Sequence, residues 1–493
     1  MEIYIGALIF SIWYVTLFFG KTIGLSMLLF AVPITLFIIN ILAKSKKDIN
    51  TKAKILIIPI TLLSATYCIF DNYFFNKLNL FVIPVLIVYM ILELLKDKIE
   101  FNWNFVGKIL EIVLFPLNYI GINFQKLKVH LESYFNIDQK NDSDRKEIIR
   151  GLLITIPIVL VILTLLTSAD TIFRNLINSI LSVFLNVTGL IDVTGTTLRI
   201  IVAFCAFVYF MCLFDYITSR YEIEETSETK EVVKKKKDYS IKMVLGVLNI
   251  IYLIFCIIQI KSLFIKDINI NYAEYARQGF FQLMWVSLIN LITILLAKKA
   301  EKQEGSTYIV SMCLIMILFT FIILVSSAVR MHYYESAYGY TFLRLLVYCI
   351  LFTETILLIP TVMYVIDFEI ELLRTYIAIV ITIYVGMNFM NFNNVIARNN
   401  VDRYFETEKI DIYYLTRMGT DAVDQIIRLE EAQIETDIIE HELDIFFKET
   451  DEYLRKHNMD FRDFNISKSK AKELIEEKIN FEDMEKDYVV NRY

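Results

Sequence analysis

Apolar runs about as long as a bilayer is thick recur along the chain, at residues 3–19, 22–42, 55–70, 78–95, 151–166, 198–217, 243–264, 280–297, 308–328, 342–365 and 375–391. Read as spans, they give an all-α, polytopic membrane protein of about eleven crossings. Two further apolar stretches read differently. Residues 105–124 are broken by Lys108, Glu111, Pro116 and Asn118, and read as an interfacial or re-entrant helix. Residues 174–191 continue a helical spacing through Ile172, Leu176, Ile180 and Phe184, and read as a helix lying on the surface. The first run has an acidic start and no small-residue cleavage site, so it reads as a span and not as a cleavable signal.

Past Phe392 the pattern turns from apolar to amphipathic. Ile438, Ile439, Leu443, Phe446 and Phe447 form one stripe at helical spacing, which predicts a small α-helical extramembrane domain. The organisation expected is therefore a four-span block over 1–95, a linker over 96–150, a seven-span core over 151–391 and a helical tail over 392–493.

Charge orients this arrangement. Lysines and arginines gather in 43–54, 96–150, 218–241, 298–307 and 367–374, which all fall on one side of the alternation. The positive-inside rule makes that side cytoplasmic, with the N-terminus inside and the tail outside. The polar loops 168–174, 271–279 and 330–341, and the exit at 392–404, then share the extracytoplasmic face. From 392 onward, 15 Lys+Arg stand against 25 Asp+Glu, a net of −10, which leaves the rest of the chain at +4. Together with 56% hydrophobic residues and a mean hydropathy of +0.53, this excludes a nucleic-acid binder and a large soluble core. The bilayer is the one certain partner class. An envelope protein or an anionic ligand is the further expectation.

Little in the sequence points to chemistry. Cys68, Cys205, Cys212, Cys256, Cys313 and Cys349 lie inside apolar runs and form no CxxC pair. His130, His332, His441 and His457 are scattered, so no metal site and no cofactor are expected. Glu440-His441-Glu442 reads as a solvated helix face. The outer segments are more distinctive: they repeat arginine, tyrosine, asparagine and acid. The candidate ligand- or partner-binding residues are Asp170, Glu274, Arg277, Arg330, His332, Glu335, Arg344, Arg398 and Arg403. Guanidinium forks suit phosphate and carboxylate, whereas anchoring in the headgroup zone explains the same composition without a ligand. Arg277, Arg330, Arg344 and Arg403 are expected to converge at one end of the bundle, with Asp170, Glu274 and Glu335 as counter-charges. Glu354 stands near the middle of a span, where an isolated acid costs roughly 3 kcal/mol on insertion scales. Its expected partners are Asn249, Gln259, Asn290 or Asn388. It serves either as a neutral hydrogen-bonded acid or as a proton-coupled group.

Four segments carry a family resemblance: LLTSADTIF (165–173), YAEYARQGFFQL (272–283), RMHYYESAYGYTFLRL (330–345) and NNVIARNNVDRYFETEKIDIYYL (393–415), followed by Asp421-Ala422. Over residues 150–430 the chain resembles a bacterial multi-pass membrane family known as domain of unknown function 4173, akin to 4153. Members often carry proline after the Ser-Ala-Asp, where this chain has Thr171. The resemblance implies a bacterial cell-membrane protein and no particular activity. The reading is a non-enzymatic membrane protein of the envelope with an extracytoplasmic polar site for binding or sensing. The alternatives are a proton-coupled transporter using Glu354, or an envelope-modifying transferase with its base among His332, Asp170 and Glu335.

Overall fold

A computed structural model describes residues 2–45, 50–95, 111–113, 115–134, 193–219, 239–264, 280–299, 307–432, 437–456 and 460–490. The described residues are mostly helical, and no strand occurs among them. Six helices among them are long and apolar enough to cross a membrane, with shorter apolar helices at Glu2–Phe18, Ala53–Ile69 and Lys242–Ile257. These features mark a polytopic all-α membrane protein; the expected run at 151–166 and the helix at 174–191 lie outside the described residues. The chain forms two compact units, one of residues 1–67, 79–228 and 459–464, the other of 68–78, 229–458 and 465–493.

In the first unit, α1 (Glu2–Phe18) packs along α6 (Val193–Ser219), and α2 (Leu25–Ser45) joins them. Phe10, Phe30, Phe37, Phe210 and Phe214 meet there, with Phe37 and Phe214 5.0 Å apart between ring centroids. Gly6 makes the fit possible, since a Cβ there would fall 2.1 Å from Phe37. α3 (Ile57–Ile69) and α4 (Tyr73–Leu94) follow. The broken stretch near Pro116 is a 3-10 turn, Phe115–Tyr119, leading into α5 (Ile120–Tyr134), so the basic residues 126–128 are helical. Two polar contacts tie this region to α6: Tyr216 donates to Glu111 at 2.7 Å, and Lys126 pairs with Asp215 at 2.8 Å. Residues 460–464 also sit in this unit. The Ser26 amide donates to the Arg462 carbonyl at 2.9 Å, and the Arg462 guanidinium reaches the Thr16 carbonyl at 3.0 Å.

The second unit holds α7 (Tyr239–Phe264), α8 (Phe280–Lys299), α9 (Thr307–Tyr338), α10 (Phe342–Val365) and α11 (Leu372–Phe389). On α7, Leu245, Asn249 and Cys256 are buried at helical spacing, while Val247, Ile250, Ile251 and Ile254 are exposed, as a lipid-facing surface requires. Asn249 donates its side-chain N–H to the Met312 carbonyl of α9 at 3.0 Å, a polar contact between two apolar helices.

One sequence expectation is corrected here. Residues 330–338 are not a loop but the last two turns of α9. The stretch has no glycine or proline before Gly339, and Ser327, Met331 and Glu335 extend the buried stripe in steps of four. Gly339, at φ +83°, ends the helix.

A helical cap follows α11. It comprises α12 (Phe392–Thr407), the short α13 (Ile412–Leu415), α14 (Val423–Glu430), α15 (Asp437–Lys456) and α16 (Ile466–Val490). Its core contains Phe392, Ile396, Val401, Ile426, Leu443 and Ile475, and Phe75 from the start of α4 packs edge-on against Phe392 at 5.1 Å. The predicted stripe is only partly inward: Ile439, Leu443, Phe446 and Phe447 are buried, whereas Ile438 is exposed.

Candidate functional site

The polar side chains of the second unit concentrate where the cap meets the turn 69–72. Asn72 caps α4 by accepting the Phe75 amide at 3.1 Å, and its own amide donates to Asn393 at 3.2 Å. Asn465 caps α16 by accepting the Lys468 amide at 3.0 Å, while its side chain donates to the Phe70 carbonyl at 2.9 Å. Asn391 caps α12 from the left-handed region at φ +46°, where asparagine is the best-tolerated non-glycine residue. Each cap thus fixes a helix start, and Asn72 and Asn465 also reach across the junction.

Asp421 is the centre of this network. Gly419, at φ +72°, turns the chain so that residues 420–422 form a 3-10 turn meeting Asp71. Both Asp421 carboxylate oxygens accept the Asp71 amide, at 3.0 and 3.1 Å. The Thr420 hydroxyl donates to the Asp71 carboxylate at 3.0 Å, and Lys468 lies 3.4 Å from its other oxygen. Burial pushes the Asp421 pKa up to about 6, against the opposing pull of the Asp71 amide and the Ser467 hydroxyl. Burial also disfavours the charge on Lys468, but the Asp71 carboxylate and the Tyr453 hydroxyl outweigh it, and the lysine pKa rises.

Beside this clamp is a half-open cavity of about 160 Å³. Its lining combines the polar residues Asp421, Asp424, Ser467 and Lys470 with the apolar Ile69, Phe70 and Leu474. Asp424 is held in place by the Asn394 amide at 2.7 Å and the Gln425 amide at 2.9 Å. Lys470 reaches Asp424 only at 3.9 Å. No cluster of three metal-ligating side chains occurs among the described residues.

The residues singled out in the sequence fall elsewhere. Arg344 and Arg403 meet at the turn after α9, where both bind backbone oxygen. Arg344 donates to the Gly339 carbonyl and stacks on Tyr334 at 4.2 Å. Arg403 donates to the carbonyls of Ala337, at 2.8 Å, and Lys409, at 3.2 Å. Asn400 completes this turn by pairing with both backbone groups of Tyr340, at 2.8 and 2.9 Å. Glu335 is buried beside Tyr340 and Tyr348. Burial, reinforced by Glu335, pushes the Tyr340 hydroxyl up to about 12. Arg330 is buried on α9, and His332 is exposed. Arg398 is exposed and lies 3.9 Å from Asp402, which pairs more closely with Arg428 at 2.7 Å. Asp170, Glu274 and Arg277 lie outside the described residues. In the bundle, Glu354 accepts a hydrogen bond from Ser287 of α8, which is not among its expected partners. Asn290 pairs instead with Thr320, and Asn388 with the Tyr384 carbonyl.

The family described as domain of unknown function (DUF4153) matches residues 57–429. The chain belongs to this family. No curated protein and no solved structure matches it. The DUF4153 region begins well before the residues that carried the resemblance in the sequence. It takes in α3 and α4, and so includes both sides of the Asp71–Asp421 clamp as well as Asp424. Ser467, Lys468 and Lys470, which close the junction from α16, lie beyond it.

Sequence reasoning missed Asp71, Asp424 and Lys468. Asp71 is a single acid in a short turn, and its partner is 350 residues away. The available signal was local: Asp71-Asn72 is a polar pair between two apolar runs, the signature of a capped helix start.

Proposed function

We propose that this DUF4153 protein, which also resembles family 4173, is a non-enzymatic membrane protein of the bacterial cell envelope whose cap is a binding or sensing domain. Its N-terminus is cytoplasmic, and its cap is extracytoplasmic. The observation that carries the reading is the half-open cavity beside the Asp71–Asp421 clamp, where carboxylate, lysine, hydroxyl and apolar groups converge. The orientation is supported by the lysine alternation. It is also supported by the turns that meet the cap, around 71, 339 and 391, since these are the ones the alternation leaves outside. A proton-coupled route through Glu354 is the competing reading. Its hydrogen bond from Ser287 satisfies the carboxyl inside the bundle, as a structural role needs.

Two measurements test this reading. Cysteines introduced at Ser336 and Tyr413, both exposed, should react with an impermeant maleimide on intact cells, and one at Lys236 should not. Labelling at Lys236 with protection at Tyr413 would reverse the orientation. Glu354→Gln should leave membrane abundance and cap-dependent function unchanged. Loss of function at normal abundance would favour the transporter.

A further inference from the structure

We infer that the cap cavity binds a primary ammonium group carried on a short carbon stem; this rests on reading the cavity as a ligand site.

Charge is the first reason. Asp71, Asp421 and Asp424 bring three carboxylates to the junction, against Lys468 and Lys470. Lys468 is committed to Asp71 and, at 3.0 Å, to the Tyr453 hydroxyl. The side chain of Lys470 is 63% exposed and barely reaches Asp424. Asp421, only 5% exposed, accepts the neutral Asp71 amide with both of its carboxylate oxygens. A buried carboxylate held by a neutral donor is a site where an added cation gains most. An anion, the ligand class suggested by the arginine-rich segments, would here meet Asp421 and Asp424.

Shape is the second reason. A cavity of about 160 Å³ matches the size class that holds about six heavy atoms. Its apolar lining residues Ile69, Phe70 and Leu474 suit a stem of a few methylenes, while its carboxylates and Ser467 suit the head. A primary ammonium has three donors and fits between closely spaced oxygens; a trimethylated one has none and is too wide. The same chemistry is offered by a free alkylamine or by the ethanolamine headgroup of a lipid. The apolar helix α3 ends at Ile69, one residue before Phe70 of that lining, so a headgroup could reach the cavity.

The experiment uses the full chain in a neutral detergent, with melting temperature read against added ethanolamine, choline or inorganic phosphate. It is repeated in vesicles of phosphatidylethanolamine and of phosphatidylcholine. Ethanolamine should stabilise the protein and choline should not; stabilisation in the phosphatidylethanolamine vesicles alone would identify the lipid as the source. Asp424→Asn, which keeps the size and an amide oxygen, should weaken the ethanolamine effect by about tenfold in concentration. Lys470→Gln removes the competing cation and should strengthen it by about twofold to threefold. An anion site predicts the reverse. Stabilisation by phosphate that is lost in Lys470→Gln would overturn the ammonium inference while leaving the cavity a ligand site. No response to any probe in either medium would overturn both.

Discussion

Replacing Asp421 by alanine should lower the melting temperature of the solubilised protein by an amount equivalent to about 2–4 kcal/mol, one of the two largest effects expected. The substitution leaves the Asp71 amide without its acceptor in a buried junction. Asp421→Asn keeps an acceptor of the same shape and should cost far less. The pair also differs in pH dependence. The folded pKa of about 6 lies above the ordinary 3.8, so the folded protein holds this proton more tightly than the unfolded chain. The stability gained is full below the ordinary value and is lost as pH rises through about 6. Wild type should therefore be more stable near pH 4 than at pH 7.5, by about 2–3 kcal/mol relative to Asp421→Asn at the same two pH values. Taking the difference between the two proteins removes whatever pH dependence both share and leaves the part that depends on the Asp421 carboxyl. A wild type that loses stability on acidification more steeply than Asp421→Asn would show that burial does not govern this carboxyl.

Gly339→Ala should have a comparable effect for a different reason. At φ +83° any side chain is strained, and a Cβ would lie 2.7 Å from the Asn400 side-chain oxygen. That oxygen accepts the Tyr340 amide, so relieving the clash breaks the pairing that ties α12 to the turn. Strain of about 1–2 kcal/mol and a lost hydrogen bond of about 1 kcal/mol should add to about 2–3 kcal/mol. Two other glycines are the controls. Gly20→Ala meets the strain alone, at φ +70° with no atom within 4 Å, and should cost about 1 kcal/mol. Gly386→Ala, in helical backbone with open space around it, should cost nothing. The melting temperatures should fall in that order, and equal losses at Gly339 and Gly20 would show that Asn400 gives way freely.

Much of the helical frame was legible because apolar length is a direct physical requirement of a bilayer. The run at 342–365 coincides with α10, and those at 198–217, 243–264 and 280–297 lie within α6, α7 and α8. The misreading of 330–338 has a clear cause. Arginine, histidine and tyrosine mark a membrane border, but they do not stop a helix, and only Gly339 does. Glu354 could be recognised as an intramembrane acid, yet its partner could not, because a single serine at 287 leaves no trace in an apolar run. Arg344 and Arg403 drew attention for their forks and hold backbone carbonyls, a use that composition does not reveal. The junction was hidden for a topological reason: Asp71 and Asp421 are far apart in sequence, and nothing local links them.

Residue-resolved hydrogen exchange at the Asp71 amide tests most directly whether the cap is seated on the turn by Asp421. That amide lies outside any helix, so only the Asp421 carboxylate protects it. Slow exchange is expected in wild type, with exchange about 10–100-fold faster in Asp421→Ala and no change within α2. Exchange at the rate of a free amide in wild type, or protection that survives in Asp421→Ala, would contradict it.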